Sequence, residues 1–268
     1  MAEVAAHMPG LVVRDLAKHF GGVQAVRGVG FTVQPGECVA LIGPNGAGKS
    51  TTFACIAGQH LPNGGQLLWH GESLNNLTPA QRLQRGIART FQVAQTFEAL
   101  TVLQNVQLLL PNVRTLSPMQ RLDQQAPQVA LALLGRVGLQ EQAALDARNL
   151  PYGAKKRLEL AMALAGLDAA PGLLLLDEPA AGLAPSERAA LMQLVRALTQ
   201  GAAGQARLAV LYTEHNMDAV FGIADKVLVL IEGRLVASGT AEEVAANEMV
   251  RTHYLGRAFR HAAEVLHA

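Results

Sequence analysis

The residues with the clearest chemical meaning lie at 43–51, where GPNGAGKST fits the pattern G-x-x-x-x-G-K-[ST]. An apolar run, 38–42, precedes this phosphate-binding loop (P-loop), and a helix is predicted from Lys49, which is the context the pattern requires. The glycines let backbone N–H groups point inward around phosphate oxygens, aided by the helix N-terminus. Lys49 is expected to reach the β- and γ-phosphates, and the Ser50 hydroxyl is expected to bind Mg²⁺. The predicted nucleotide-binding residues of this loop are Gly43, Pro44, Asn45, Gly46, Ala47, Gly48, Lys49, Ser50 and Thr51.

Two adjacent carboxylates, Asp177 and Glu178, follow a run of four leucines that is predicted to be a buried strand. Asp177 is expected to act on the metal through its water shell, and Glu178 is expected to polarise the attacking water as a general base. A solvated pair of acids at a strand end is the alternative interpretation. The P-loop in the same chain favours the catalytic one.

A histidine, His215, ends another apolar strand, 208–215. Parallel sheets gather ligand chemistry at the carboxyl ends of their strands, so His215 could face the γ-phosphate. A single histidine at a strand end is more often structural. From the residues alone both interpretations stay open.

The composition limits the classes of protein and partner. Half of the 268 residues are hydrophobic and 16% are charged, which argues against a disordered chain, and the net charge of +1 implies no bulk attraction to nucleic acid. Cys38 and Cys55 suggest no disulfide framework, so a reduced, cytosolic setting is favoured. The first ten residues lack the features of a signal peptide, and no apolar run approaches the roughly 18 residues that cross a bilayer. The expectation is a chain that is soluble by itself and reaches a membrane only through a partner.

Strand and helix signals alternate at both ends of the sequence, which predicts an α/β fold with a parallel sheet. A helix is predicted after Thr78, because Thr78 is a suitable N-cap, Pro79 suits the first helical position and Gln81 completes a capping box. A hairpin is expected to turn at 232–233, and TAEE at 240–243 has the form of a second capping box. The predicted strands include residues 11–13, 31–33, 38–43, 66–71, 173–177, 207–215 and 226–239.

The residue composition and pattern change between about 91 and 150. Strand signals vanish there, and Gln, Ala and Leu recur at helical spacing, as in 118–138. This predicts a separate helical lobe that interrupts the α/β part.

With these three motifs in this order, the chain resembles the ATP-binding-cassette (ABC) ATPases from about residue 10 to about 257. The resemblance implies a P-loop NTPase fold with a RecA-like parallel-sheet core, an antiparallel β subdomain and an inserted α-helical subdomain. It implies one ABC ATPase domain over 8–257. The nucleotide-binding core would span 8–91 and 168–240, the helical signature subdomain 92–167, and a C-terminal helical tail 241–268.

The resemblance also assigns roles to residues that spacing alone does not. Phe20 matches the aromatic residue that stacks on adenine, with Val26 nearby. Gln92 matches the glutamine that bridges metal, water and the membrane partner, and His215 matches the switch histidine. The implied catalytic residues are Glu178, His215 and Gln92, and the implied metal ligands are Ser50, Gln92 and Asp177.

The segment 149–157 falls where the family carries its signature, and 181–184 falls at its D-loop. The family sandwiches ATP between the P-loop of one subunit and the signature of the other. The residues that would face the nucleotide of the opposing subunit are Pro151, Tyr152, Gly153 and Ala154.

Finer features are similar to one subgroup, the ATPases of branched-chain amino acid importers. They are IARTFQ at 87–92 (with Val93 directly after), TVLQNV from 101, the LPYG signature at 150–153, DEPAAGL from 177 and YLG at 254–256. The resemblance implies ATP and Mg²⁺ as cofactors, a second ABC ATPase subunit in a homo- or heterodimer, membrane permease subunits and, indirectly, a solute-binding protein. It implies a peripheral position on the inner, cytoplasmic face of the cell membrane and no nucleic-acid partner.

Three alternatives stay open at this point. ATPases of urea-type importers are close relatives of the subgroup. A soluble ABC ATPase of translation or DNA repair usually carries tandem cassettes or long coiled-coil insertions, and the sequence shows neither. A regulator that binds nucleotide without hydrolysis is disfavoured by Lys49, Gln92, Asp177, Glu178 and His215.

Pro151, Ala154 and Ala184 depart from the family pattern, as does Ala241 at a helix start. Pro151 removes a hydroxyl and an N–H, which could weaken a phosphate interaction roughly 10- to 150-fold if nothing compensates. Because proline presets φ for a first helical turn, slower or asymmetric hydrolysis is expected rather than none. The cations that follow could attract phosphate, but a solvated face is the favoured interpretation for Lys155, Lys156 and Arg157.

Overall fold

The strands form two sheets in the computed structural model, which describes residues 10–111, 113, 122–167, 172–201 and 207–255. The predicted domain limits at 8, 168 and 257, the tail beyond 255 and the segment 118–121 lie outside the described residues. The strands are β1 Leu11–Phe20, β2 Val23–Val33, β3 Cys38–Ile42, β4 Gly64–Trp69, β5 Glu72–Ser73, β6 Ile87–Arg89, β7 Leu173–Asp177, β8 Ala209–Thr213, β9 Lys226–Ile231 and β10 Arg234–Gly239.

The smaller sheet is antiparallel, with strand order β2-β1-β4-β5. The larger sheet has the order β10-β9-β3-β8-β7-β6, and all of its strands except the edge strand β10 run parallel. The carboxyl ends of β3, β8, β7 and β6 therefore meet at one edge. That edge receives the P-loop, the predicted histidine, the acid pair and the segment that leads to Gln92.

The parallel strands are buried on both faces, which explains their unbroken apolar runs. In β3, Cys38, Ala40 and Ile42 pack into one core, whereas Val39 and Leu41 pack into the other. The first core is closed by helices of the middle and late chain, and the second by the antiparallel sheet and the first helix. Two cores thus hold the central sheet from both sides.

The helices are fixed by local signals that the sequence contains. Both predicted capping boxes are confirmed, at Thr78 and at Thr240, and the helix predicted from Lys49 begins there. The helices are α1 Lys49–Ala57, α2 Pro79–Gln84, α3 Val102–Gln107, α4 Pro127–Arg136, α5 Tyr152–Gly166, α6 Pro185–Gln200, α7 Met217–Phe221, α8 Ala241–Ala246 and α9 Glu248–Val250.

The middle of the chain is helical, as predicted. Helices α3, α4 and α5 pack together and carry buried apolar side chains such as Val106, Leu134 and Leu158. Within the predicted helical segment 118–138, α4 begins only at Pro127, because Ala126 adopts φ +42° and separates it from a short 3₁₀ turn. The predicted α/β architecture with an antiparallel sheet and a helical part is confirmed. The predicted domain boundaries remain predictions.

The hairpin between β9 and β10 turns at Glu232 and Gly233, as predicted. Both residues have positive φ, +47° and +77°, which is the geometry of a tight turn that matches strand twist. Backbone hydrogen bonds connect the turn to the P-loop and to β2. Gly233 N donates to Ala47 O at 3.0 Å, and Arg27 N donates to Gly233 O at 2.7 Å. The tip of the hairpin therefore supports the P-loop directly.

A search of the described residues for membrane-crossing helices found none that combines sufficient length with sufficient apolar character.

Candidate nucleotide site

The P-loop connects β3 to α1 and has the shape of a cradle for phosphate. Gly43 has φ +148°, and a Cβ there would lie 2.1 Å from Leu230 O. Gly48 has φ +98°, and a Cβ there would lie 2.4 Å from Ala25 O. Only glycine tolerates these positions, so the backbone rather than side chains forms the inner wall of the loop.

Lys49 is buried at the start of α1, whereas Asn45 and Ser50 of the same loop are exposed. Its Nζ donates to Gly43 O at 2.7 Å and to Pro44 O at 3.1 Å, so the ammonium lies inside the loop. Burial lowers the pKa of Lys49, and the nearby charges of Glu178 and Asp177 partly oppose this effect. The loop and the acid pair are thus electrostatic neighbours.

The acid pair lies at the end of β7, where Thr213 of β8 connects the two residues. Thr213 Oγ1 donates to Asp177 Oδ1 at 2.9 Å and accepts from Glu178 N at 3.0 Å. Arg89, the last residue of β6, forms an ion pair with Asp177, with Nη2 2.7 Å from Oδ2. Asp177 is therefore held from both neighbouring strands.

Glu178 is placed between the other two predicted catalytic residues. Its carboxylate accepts from Gln92 Nε2 at 2.7 Å and from His215 Nε2 at 2.6 Å. The backbone of Glu178 has φ +46°, a left-handed conformation that costs a non-glycine residue about 1–3 kcal/mol. Surrounding contacts hold a strained residue at the sheet edge, which is a common arrangement for a reacting group.

The two predicted adenine contacts differ in exposure. Phe20, at the end of β1, is 45% exposed; Lys18 Nζ lies 5.0 Å from its ring centroid and His60 packs edge-on against it. Val26 lies in β2 and is buried in the core. Phe20 therefore offers an open ring face, whereas Val26 supports the strand beneath.

The predicted signature residues form the start of α5, but Pro151 is not its first helical residue. Pro151 is the N-cap, with φ −56° and ψ 155°, and α5 begins at Tyr152. Lys155 N makes the first bond of the helix, to Pro151 O at 3.0 Å, so helix geometry leaves the N–H groups of Tyr152, Gly153 and Ala154 for an outside acceptor. The anion-binding role of this turn stays a prediction, and these three N–H groups, with proline before them, would carry it.

The interpretation of the cation cluster as a solvated face is wrong for Lys156, which is 4% exposed. Its Nζ donates to Phe91 O at 3.1 Å and to Gln92 O at 2.5 Å, and burial lowers its pKa. Lys155 pairs with Glu98 at 2.8 Å, and Arg157 reaches backbone carbonyls at the end of α4. The three cations connect α5 to three different segments.

Sequence reasoning assigned no role to Arg89, Thr213 or Glu159, and it favoured a solvated position for Lys156. Arg89 could have been found from the sheet, because β6 pairs with β7 in parallel and both strands end at the same edge. A strand of three residues is too short to be recognised by periodicity, which is why the signal was lost. Lys156 and Glu159 meet a segment more than 60 residues away, which no local pattern indicates.

The residues predicted to bind Mg²⁺ fit a hard cation by chemistry. Ser50, Asp177 and Gln92 offer hydroxyl, carboxylate and amide oxygens, the donor types that Mg²⁺ prefers. Arg89 balances the charge of Asp177 in this structure.

Comparison with known proteins identifies the family of this chain. A family model described as ABC transporter matches residues 26–181. The chain is 37% identical over 259 residues to the high-affinity branched-chain amino acid transport ATP-binding protein LivG of Escherichia coli K12, covering 93% of this chain and 99% of LivG. It is 36% identical over 261 residues to BraF of Pseudomonas aeruginosa, a protein with the same description, with the same coverage.

A solved structure has the same fold. It is an ATP-binding cassette of an ABC transporter in its ADP conformation, with a TM-score of 0.79 and 28% identity, covering 93% of this chain and 100% of that one. The resemblance inferred from the motifs is confirmed by both kinds of comparison. This chain belongs to the ABC transporter family.

Proposed function

We propose that this chain is the ATP-binding and ATP-hydrolysing subunit of a membrane importer for branched-chain amino acids. The observation that carries the proposal is the carboxylate of Glu178, held by Gln92 at 2.7 Å and by His215 at 2.6 Å beside the P-loop. The solute class is supported by LivG and BraF, which align with this chain over nearly their whole lengths.

In the proposed reaction, the P-loop backbone and Lys49 bind the phosphates of ATP, and Phe20 stacks on adenine. Glu178 accepts a proton from a water molecule while the oxygen of that water bonds to the γ-phosphorus. The bond between the γ-phosphorus and the bridging oxygen of ADP then breaks. His215 and Gln92 orient the carboxylate and the water. Ser50, Asp177 and Gln92 would hold Mg²⁺, which neutralises phosphate charge when bound.

The signature turn is proposed to act on a second ATPase subunit, identical or homologous to this one. The free N–H groups at the start of α5 present the positive end of a 15-residue helix, which suits the γ-phosphate held by the partner. Two such chains would close over two ATP molecules.

A cavity beside the Gln92 loop is the proposed contact for the permease. It measures about 470 Å³ and lies between β6 and α5, with exposed rings of Phe91 and Phe97 at its rim. Its lining is mainly apolar and includes Leu83, Ile87, Met162, Ala163 and Leu175. An apolar groove of this kind fits an amphipathic helix, which would place the chain peripherally on the cytoplasmic face of the membrane.

The proposed base is tested by Glu178→Gln in the full chain. The variant keeps the shape and the contact with Gln92 but cannot accept a proton, so it is expected to bind ATP normally and to lose at least about 100-fold in kcat. Lys49→Ala is the matched control, since it should lose ATP binding itself. Turnover close to that of the unchanged chain in Glu178→Gln would refute the assignment.

The solute class is tested in vesicles that hold the whole transporter. ATP-dependent uptake of labelled leucine is expected with the unchanged chain and not with Glu178→Gln. Uptake of urea instead of leucine would place the chain with the urea-type importers.

A further inference from the structure

Two buried charges on α5 hold the backbone of the loop that carries Gln92. Lys156 Nζ donates to Phe91 O at 3.1 Å and to Gln92 O at 2.5 Å. Glu159, one turn along the helix, accepts from Phe91 N at 3.0 Å and from Gln95 N at 3.4 Å through Oε1. Lys156 and Glu159 are only 4% and 6% exposed.

This arrangement is unusual for a contact that merely fills space. Burying a charge is costly unless hydrogen bonds replace water, and apolar side chains of the same volume would pack the two segments without that cost. Both charged side chains form hydrogen bonds with the backbone of 91–95. Lys156 donates to carbonyl oxygens, and Glu159 accepts from N–H groups. The contact therefore fixes the position of the loop backbone.

The loop backbone determines where the side chain of Gln92 can reach. That side chain is itself exposed and has one described contact in the site, from Nε2 to Glu178 Oε2 at 2.7 Å. A shift of about 1 Å at a positioned group can cost a large factor in rate. The same helix begins with the signature turn at Tyr152, four residues before Lys156.

We propose that Lys156 and Glu159 are positioning residues that act through Gln92. They fix the glutamine to the helix that carries the signature turn, so Gln92 and that turn move as one rigid unit. The inference rests on the proposed function, because Gln92 matters here only if Glu178 is the base. It also gives the central member of the cation cluster a role.

The test is a double-mutant cycle in the full chain, with kcat and KM for ATP measured well below the melting temperature. Lys156→Met removes the donor and keeps most of the volume. It is expected to lower kcat by at least about tenfold while KM changes less than about twofold, since the P-loop is untouched. In a Gln92→Ala background, Lys156→Met should lower kcat no further. Lys156→Arg should restore most of the activity.

Lys155→Met is the matched control, because Lys155 lies on the same helix and pairs with the side chain of Glu98 instead. It should leave kcat unchanged. If Lys156→Met does not fold, Glu159→Leu carries the same cycle with the same expectations. Additive losses in the Gln92→Ala background, or an unchanged kcat in Lys156→Met, overturn the inference. If Glu178→Gln still abolishes turnover in that case, the proposed function stands and only the positioning role fails.

Discussion

Glu214 is a buried carboxyl between the end of β8 and His215. It is 4% exposed, and its Oε1 accepts from Ala180 N at 2.9 Å. Burial raises the pKa of Glu214 above its ordinary value of 4.5. The folded chain therefore holds this proton more tightly than the unfolded chain does.

The raised pKa of Glu214 predicts how this residue makes the stability of the chain depend on pH. The stabilising contribution of protonated Glu214 is complete below about pH 4.5 and is lost as the pH rises through the raised pKa. Glu214→Gln keeps the acceptor but cannot titrate, so the melting temperature of the variant relative to that of the unchanged chain should increase as the pH rises above about 4.5. Glu141→Gln, at an exposed position, should show no such gain. Parallel melting curves for Glu214→Gln and the unchanged chain would contradict the prediction.

At the scale of elements, α6 begins without a side-chain cap. Its N-cap is Ala184, in the D-loop, and Pro185 occupies the first helical position. The backbone N–H of Ala184 donates a hydrogen bond to Glu187 Oε2 at 3.3 Å. The N–H groups of the first turn therefore lack the acceptor that Asp, Asn or Ser would provide.

Ala184→Asp is expected to stabilise the chain by about 1 kcal/mol through this missing cap. The melting temperature should rise by about 2–4 °C. Ala184→Asn should give most of the same gain, because it caps without adding charge, whereas Ala184→Leu should give none. An equal gain from leucine would show that capping is not the cause.

Local signals predicted the elements well wherever the deciding contact is local. The capping boxes at Thr78 and Thr240 and the turn at 232–233 are set by residues within four positions of one another. Pro151 shows the limit, because a φ near −60° suits both an N-cap and a first helical residue, and only ψ separates them. The P-loop and the acid pair could be predicted for the same reason, because each is a contiguous stretch of sequence. Arg89 and Lys156 could not, because they contact residues that only the fold brings close.

At the scale of the whole molecule, the cavity beside the Gln92 loop predicts how permease binding can be separated from ATP binding. Phe97→Asp places a charge at its exposed rim and should reduce co-purification of the permease at least about tenfold, because a charge opposes apolar docking. ATP affinity should stay unchanged. Val129→Asp is the matched control: an exposed apolar residue on α4 that does not line the cavity. Equal loss in both variants would argue against this surface.

The strand order of the large sheet has a consequence for the chain as it is synthesised. Strand β3, which leads into the P-loop, has as its two neighbours β8 and β9, made from residues 209–213 and 226–231. The turn that supports Ala47 comes later still, at 232–233. A nascent chain that ends before residue 209 thus lacks both neighbours of β3, and one that ends before residue 226 still lacks β9 and the supporting turn. Ribosome-bound intermediates shorter than about 209 residues should therefore not be able to engage ATP.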